Sequence, residues 1–121
     1  MDILVVDDEE MVNRIFSQRL RKEIVSGAFR LHFANRAEKA LETLEALHFQ
    51  VGLVLCDINM PGMGGLELLK RIRLRDVSLK VYMVSAYEGD EYRNRCLELG
   101  ADGFLPKPLE FSALRLLLDS L

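Results

Sequence analysis

Five short runs of apolar or alternating residues recur along the chain, and each ends at turn-forming or polar residues. Runs of this length bounded by turn signals predict strands, whereas apolar residues three and four positions apart predict helices. The run at 51–56 has no alternation, which is typical of a central strand buried on both faces. The predicted strands are residues 3–6, 31–34, 51–56, 80–85 and 103–106.

A helical pattern follows each predicted strand. The first helix is predicted over residues 11–24, and Asn35 is predicted to be the N-cap of the second helix. The third helix is predicted over residues 66–75, and Gly100 is predicted to end the fourth. Leucines on one helical face predict a terminal helix over residues 114–121.

The two edges of the predicted sheet are marked by different signals. In the second strand Leu31 and Phe33 point to one side and His32 to the other, which is typical of a half-exposed edge strand. Pro106 lacks a backbone donor, which places the last strand at the opposite edge. Right-handed crossovers then favour an α/β doubly wound sandwich around a five-stranded parallel sheet of order 2-1-3-4-5. We expect residues 1–121 to form a single domain.

Composition excludes several classes of protein. The formal net charge is −3 and the pI about 5.4, which argues against a nucleic-acid footprint over the whole chain. Cys56 and Cys96 lack disulfide or metal-ligand spacing and are predicted to be packed small hydrophobes in a reducing compartment. Neither a membrane span nor a signal peptide is predicted, so a cytoplasmic location is expected. A solvated helix face is predicted for Lys70, Arg71, Arg73 and Arg75.

Carboxylates follow the two strands that are neighbours at the switch in chain direction. Asp7 and Asp8 end the first strand and Asp57 ends the third, while Ser85 and Lys107 end the fourth and fifth at the same edge. Like charges at close range repel one another, and a hard divalent cation relieves this repulsion. All the nearby ligand atoms are oxygens, so Mg²⁺ is favoured over zinc.

The same set of side chains suits a phosphoryl group. Lys107 supplies a cation, Ser85 a hydroxyl group, and the glycine-rich loop after Asp57 supplies backbone amides. A carboxylate can itself be the nucleophile and form an aspartyl phosphate. Asp57 stands alone at the end of the central strand and is therefore the candidate nucleophile.

Four short motifs occur in order at the ends of four predicted strands. They are the D-D pair at Asp7 and Asp8, the D-x-N-M-P-x-M-x-G segment at 57–65, the S-A pair at 85–86 and the G-A-D-G-F-L-P-K-P run at 100–108. Together these motifs resemble the receiver domain of two-component response regulators, in particular the chemotaxis receivers. The resemblance covers the whole chain and implies the flavodoxin-like (βα)5 fold.

The resemblance implies a phosphoacceptor switch rather than an enzyme that acts on external substrates. Asp57 would accept a phosphoryl group from a phosphohistidine, and the domain would promote its own phosphorylation and slow autodephosphorylation. The resemblance also implies that Asp8, Asp57 and the main-chain carbonyl of Asn59 bind Mg²⁺, with Asp7 acting through water. Mn²⁺ is a second candidate ion, and Lys107 would pair with the phosphate.

Ser85 and Phe104 match the switch residues of the receiver family. Ser85 would move to hydrogen-bond the phosphate, and Phe104 would turn inward as that hydroxyl moves away. Serine stands where threonine is commoner, and phenylalanine stands where tyrosine is commoner, so the outward state of Phe104 lacks a hydroxyl anchor. The resemblance further implies that Asn59 and Tyr87 flank the approach to the phosphate, where Tyr87 would shield it from water.

The implied partners are a sensor histidine kinase or a histidine phosphotransfer protein, and an output domain or partner protein. The resemblance places the output surface on the fourth helix, fifth strand and fifth helix, at residues 90–121. Leu116 lies off the inward stripe of the last helix and is a candidate for a partner or homodimer contact. No direct contact with nucleic acid or membrane is expected. A cis bond between Lys107 and Pro108 is also implied.

Three other functional classes are compatible with parts of this pattern. A haloacid-dehalogenase-type phosphatase would place an acid two residues after the nucleophile, where this chain has Asn59. A flavodoxin-like electron carrier would need a hydroxyl- and glycine-rich first loop, whereas residues 7–10 are all acidic. A degenerate receiver that acts only as a binding module would lack part of the acidic pocket, and here every member is present.

Overall fold

The computed structural model describes residues 1–86 and 89–121, in which five parallel strands form one sheet. The sheet order is β2-β1-β3-β4-β5, so the predicted topology is confirmed. Asp57 is the last residue of the central strand rather than the first residue of the loop. The strands are β1 Asp2–Val6, β2 Arg30–Ala34, β3 Leu53–Asp57, β4 Val81–Ser85 and β5 Gly103–Pro106.

Helices cover both faces of this sheet, which confirms the doubly wound α/β fold. They are α1 Met11–Arg19, α2 Arg21–Val25, α3 Ala37–Ala46, α4 Gly65–Arg75, α5 Asp90–Glu98 and α6 Phe111–Ser120. Leu4 and Val6 of β1 pack towards α3, α4 and α5, while Ile3 and Val5 pack towards α1 and α6. None of the described helices has the length and apolarity that a membrane crossing requires.

The helix predicted over residues 11–24 is divided at Leu20 into α1 and α2, so that prediction is wrong in this detail. Leu20 leaves the helical region, with φ −107° and ψ 20°. The last helix contacts the chain at this break, where Arg115 Nη2 donates a hydrogen bond to the Arg19 carbonyl at 2.6 Å and Nη1 contacts Glu23. Within α1, Phe16 is buried, whereas the neighbouring Ile15 is 41% exposed.

The predicted N-cap at Asn35 is also wrong. Arg36 precedes the first helical residue, Ala37, and no side chain caps this end of α3. Arg36 has an extended backbone, with φ −160° and ψ 164°, so the helix begins only after Arg36. The end predicted at Gly100 is confirmed, because α5 ends at Glu98 and Gly100 has a positive φ of 98° that favours glycine.

The basic residues of α4 do not all belong to a solvated face. Lys70 and Arg71 pair with Glu67 on the exposed surface, as the sequence predicts. Arg73 instead is only 13% exposed in its side chain. Its guanidinium donates to the carbonyls of Gly100 at 2.8 Å, Leu79 at 2.7 Å and Asp76 at 3.1 Å, and to the Asp102 carboxylate at 2.9 Å. Arg73 therefore joins the end of α4 to the starts of β4 and β5.

Both cysteines are free and buried, as predicted. Burial raises the pKa of the Cys56 thiol far above its ordinary value, and the pKa of Cys96 is raised for the same reason. A thiol held in its protonated form is a poor nucleophile, so both residues act as packing groups. The Cys56 thiol donates to the main-chain carbonyl of Asp57 at 3.4 Å.

Candidate functional site

Three carboxylates meet at the carboxyl edge of the sheet, where β1 and β3 lie side by side. Asp7, Asp8 and Asp57 each place one oxygen within 4.8 Å of the others. Asp57 is 4% exposed and Asp7 9% exposed, whereas Asp8 is on the surface. The structure therefore brings together the three acids that the sequence predicts, and it gives two adjacent aspartates different environments.

Lys107 reaches the two buried carboxylates from the loop after β5. Its Nζ donates to Asp57 Oδ2 at 3.1 Å and to Asp7 Oδ2 at 3.2 Å. The Lys107 backbone N–H donates to the Ser85 carbonyl at 2.9 Å, which fixes this loop against the end of β4. The Lys107-Pro108 peptide bond is cis, as predicted.

The remaining oxygens of the buried carboxylates accept bonds from the backbone two residues later. Glu9 N–H donates to Asp7 Oδ1 at 2.9 Å, and Asn59 N–H donates to Asp57 Oδ1 at 3.1 Å. Such Asx-type contacts fix the rotamer of each aspartate. For Asp57 they leave Oδ2 aimed at Lys107, so the orientation of this carboxylate is set from both sides.

The loop after Asp57 returns very close to the strand that it leaves. Gly65 N–H donates to the Ile58 carbonyl at 3.0 Å, and α4 begins at this residue. A Cβ atom at Gly65 would overlap the Asp57 carbonyl and would lie 2.8 Å from Ile58 Cα. Only glycine allows this approach without a shift of the backbone. Met60 and Met63 of this loop pack against the core.

Burial and close contact shift the pKa values of both Asp57 and Lys107. Burial raises the pKa of Asp57 above its ordinary value of 3.8, and the hydrogen bond and charge of Lys107 only partly oppose that rise. Burial acts to lower the pKa of Lys107, but the bonds and charges of Asp57 and Asp7 outweigh it, so the pKa is raised. In the metal-free site three carboxyl groups therefore share one ammonium group, and burial disfavours the ionised form of Asp57.

Replacing Asp57 with asparagine is expected to stabilise the metal-free protein at pH 7 by about 1 kcal/mol, a common size for one substitution. Folding raises the pKa of Asp57, so protonated Asp57 contributes its full stability below the unfolded-state pKa. That contribution to stability is lost as the pH rises through the folded-state pKa. Ionised Asp57 therefore opposes folding at pH 7. Urea unfolding in EDTA should show the gain at pH 7 and little gain near pH 4.

Asp76→Asn is the control with the opposite sign. Hydrogen bonds from Ser78 lower the pKa of Asp76, so its stabilising effect is present above the unfolded-state pKa and is lost as the pH falls through the folded-state pKa. Asp76→Asn should therefore be less stable than wild type at pH 7. A loss of stability at pH 7 in Asp57→Asn as well would contradict the unfavourable burial of ionised Asp57.

The donor set fits a hard divalent cation. In the described part of the chain, Asp7, Asp8 and Asp57 form the group whose oxygens could hold a metal ion together. The set contains neither histidine nor cysteine, and magnesium prefers oxygen ligands. Asn59 follows Asp57 by two residues and is exposed, and its backbone N–H already contacts the Asp57 carboxylate. The site thus combines a cation position with a buried, oriented carboxylate.

Ser85 and Phe104 lie on β4 and β5, the two strands that follow the Asp57 strand in the sheet. Ser85 is the last residue of β4 and is 1% exposed. Phe104 of β5 pairs in register with Met83 of β4 and packs, partly buried, against the core that faces α3, α4 and α5. The register therefore places both predicted switch residues on the adjoining strands β4 and β5. The predicted role of Tyr87 falls on a residue outside the described ranges.

A cleft of about 620 Å³ opens beside the carboxylates, and the sequence analysis did not predict it. Its polar end is formed by Asp7, Asp57 and Lys107. Its apolar wall comes from α1 and from the loop and first turn of α6, at Val12, Ile15, Phe16, Leu109 and Phe111. The sequence shows that these residues are hydrophobic, but hydrophobicity alone does not distinguish a position in the core from one in the wall of a cleft.

Comparison with known proteins gives one consistent family. A family model described as "Response regulator receiver domain" matches residues 3–119. The chain is 35% identical over 116 residues to "Cyclic di-GMP phosphodiesterase" of Thermotoga maritima, covering 96% of this chain and 29% of that protein. It is 38% identical over 119 residues to "Transcriptional regulatory protein ZraR" of Klebsiella oxytoca, covering 98% of this chain and 26% of that protein. The chain thus spans less than a third of these relatives.

Solved structures show the same fold. A CheY-like response regulator receiver domain protein from Methanospirillum hungatei superposes with a TM-score of 0.85 and 28% identity, covering 98% of this chain and 90% of that chain. The CheX-CheY-BeF3-Mg²⁺ complex from Borrelia burgdorferi gives a TM-score of 0.80 and 28% identity, covering 99% of this chain and 87% of that chain.

Proposed function

Because this chain belongs to the response regulator receiver domain family, we propose that it is a phosphorylation-driven switch in which Asp57 is the phosphoacceptor. One observation carries the assignment. Asp57 is almost fully buried at the end of the central strand, yet Lys107 and the backbone of Asn59 hold its carboxylate in one orientation beside two further acids. An aspartate that serves only the fold rarely lies among other carboxylates, because their mutual repulsion destabilises the folded state.

The proposed step is a phosphoryl transfer from a phosphohistidine. A carboxylate oxygen of Asp57 forms a bond to phosphorus while the bond from phosphorus to the imidazole nitrogen breaks, and the electron pair of that bond stays on the imidazole. The product is an acyl phosphate on Asp57. Lys107 is already 3.1 Å from Asp57 Oδ2 and supplies positive charge where the phosphoryl oxygens arrive. The cleft beside α1 leaves room for the donor to reach this otherwise buried group.

We propose Mg²⁺ as the resident ion, with Mn²⁺ as a substitute. Asp8, Asp57 and the main-chain carbonyl of Asn59 would hold it, and Asp7 would act through water. When bound, the ion supplies positive charge that offsets the carboxylates and the phosphoryl oxygens. The exposed position of Asp8 and the nearly buried position of Asp7 support this division of roles. Asp7 is already engaged by Lys107, whereas Asp8 is open to an ion from solvent.

The switch is proposed to run from Ser85 to Phe104. The Ser85 hydroxyl would bond a phosphoryl oxygen, and Phe104 would move further into the space on the core side of β5. Phe104 lies in the strand that also carries the start of the Lys107 loop, so the site and the aromatic ring share one element. The output surface would then be α5, β5 and α6, where Leu116 is 73% exposed.

Beryllofluoride with Mg²⁺ offers a direct test of this switch, because the two occur together in the Borrelia complex. We expect wild type to show a bound ¹⁹F NMR resonance and a shift of the Phe104 ring signals, and Asp57→Asn to show neither. Ser85→Ala is expected to keep the bound resonance but to lose at least half of the Phe104 shift. An undiminished shift in Ser85→Ala would contradict the proposed route, and no bound resonance in wild type would contradict the phosphoacceptor site itself.

The proposed setting follows from the family. A sensor histidine kinase or a histidine phosphotransfer protein would supply the phosphoryl group in the cytoplasm, and an output domain or separate protein would read the switch. We treat residues 1–121 as one receiver domain, with homodimerisation through the α5, β5 and α6 surface as a further proposal. Slow autodephosphorylation would reset the switch. The whole-length activities of the relatives, such as phosphodiesterase or transcriptional regulation, are not assigned to this chain.

A further inference from the structure

A second charged surface lies where α1 meets α2 and the last helix, away from the carboxylate site. Its residues, which we call the basic groove, are Gln18, Arg19, Arg21, Lys22, Val25 and Arg115. The groove encloses about 810 Å³, which is enough for several side chains rather than a single ion. None of the three clustered aspartates and neither Ser85 nor Lys107 lines it.

Three cations of this surface lack the acidic partners that most other described cations have, whereas the fourth, Arg115, pairs with Glu23. Lys70 and Arg71 on α4 both pair with Glu67, and Arg75 pairs with Glu45. Within the described ranges no carboxylate pairs with Arg19, Arg21 or Lys22. A chain with a net charge of −3 therefore carries a local positive surface on which three of the four cations are not paired with its own acids.

Two arginines of the groove are held in place before any partner arrives. Arg19 stacks on the ring of Phe111, with its guanidinium carbon 4.9 Å from the ring centre. Arg115 is fixed by Glu23 and by the Arg19 carbonyl, on either side of the break at Leu20. Side chains already ordered lose less conformational entropy on binding, so both arginines are suited to recognition.

An apolar residue lies among these cations. Val25 is 77% exposed at the end of α2, one turn after Arg21 and Lys22. The part of the helices from residue 19 to residue 25 is about 10 Å long at 1.5 Å per residue. A complementary segment would therefore need two or three acidic groups and an apolar side chain within a short span.

We propose that the basic groove is a docking surface for a short acidic segment of a partner protein that also carries an aliphatic side chain. Charge complementarity and the exposed Val25 favour a protein over a nucleic acid. Glu9 and Glu10, exposed just before α1, would repel a long polyanion that followed the helix axis. Phe111 is 7% exposed beneath Arg19, so it offers no open ring for base stacking.

The test is fluorescence anisotropy at low ionic strength with a labelled synthetic peptide, three repeats of Glu-Glu-Glu-Leu. We expect saturable binding to wild type, at least tenfold weaker binding to the double variant Arg21→Glu with Lys22→Glu, and severalfold weaker binding of a Glu-Glu-Glu-Ser peptide. The matched control is Lys70→Glu with Arg71→Glu, which makes the same charge change on α4 and should alter binding less than twofold. Thermal unfolding checks that each variant folds.

Three results would overturn the proposal: no saturable binding to wild type, an equal loss in both double variants, or tighter binding of a twelve-nucleotide single strand than of the peptide. If the first double variant does not fold, Arg21→Gln with Lys22→Gln serves in its place, with a loss of at least threefold expected. Phosphorylation of Asp57 by acetyl phosphate is expected to be unchanged in both double variants. The docking proposal and the phosphoacceptor assignment therefore fail or succeed separately.

Discussion

Replacing Lys107 with methionine is expected to lower the free energy of unfolding of the metal-free protein by about 3 kcal/mol at pH 7, the low end for a buried pair that loses one partner. The loss arises because the Asp7 and Asp57 side chains, 8% and 5% exposed, would lose the ammonium that both contact. We expect a value at the low end of that range of destabilisation because a quarter of the Lys107 side chain is exposed. Urea unfolding in EDTA measures the change.

Lys80→Met is the matched control for this experiment. Lys80 also pairs with an aspartate, but it is 53% exposed and lies 3.8 Å from Asp102, so its loss should cost less than about 1 kcal/mol. The pKa of Lys107 is raised by folding, so its stabilising effect is full below the unfolded-state pKa and is lost only as the pH rises through the folded-state value. Equal effects of the two substitutions at pH 7 would contradict the charge balance assigned to the site.

Gly65→Ala is expected to cost about 2 kcal/mol of stability, within the range for overpacked sites. The added Cβ would overlap the Asp57 carbonyl and crowd Ile58 Cα, and both are backbone atoms that cannot rotate away. The strand end that carries Asp57 would have to shift. We therefore also expect at least a tenfold slower phosphorylation by acetyl phosphate, since displacement of a reacting group by about 1 Å can have a hundredfold effect.

Gly64→Ala separates this crowding from a general effect of losing a glycine in the loop. A Cβ atom at Gly64 would meet only the Ile58 carbonyl, at an ordinary distance of 3.6 Å. Its φ of −77° is also open to alanine. Stability and phosphorylation rate should therefore stay close to wild type in Gly64→Ala. If Gly65→Ala behaved in the same way, the close approach of the loop to Asp57 would have no functional role.

The sheet could be predicted from sequence because its signals are local. An apolar run without alternation marks a strand between two helical layers, and Pro106 marks an edge, so the strand order followed from short segments. The division of the first helix could not be predicted in this way. The break coincides with a contact from Arg115, which lies 96 residues from the Arg19 carbonyl, and no local pattern reports such a contact.

The candidate site shows the same limit. The convergence of Asp7, Asp8 and Asp57 follows from strand order alone, and so does the approach of Lys107. The difference in exposure between Asp7 and Asp8 does not follow from strand order. Adjacent aspartates have the same sequence signal, and only the path of the chain buries one and exposes the other. Arg73 is a further case, since a basic helix residue is exposed by default and here it joins three separate segments.

Intact-mass analysis tests directly whether Asp57 is the phosphoacceptor. The protein is incubated with acetyl phosphate or phosphoramidate and Mg²⁺, beside Asp57→Asn and a metal-free sample. We expect wild type with Mg²⁺ to gain one phosphoryl group, and neither Asp57→Asn nor the metal-free sample to gain any. A gain that persists in Asp57→Asn, or no gain in folded wild type with Mg²⁺ bound, would contradict the assignment of Asp57 as the phosphoacceptor.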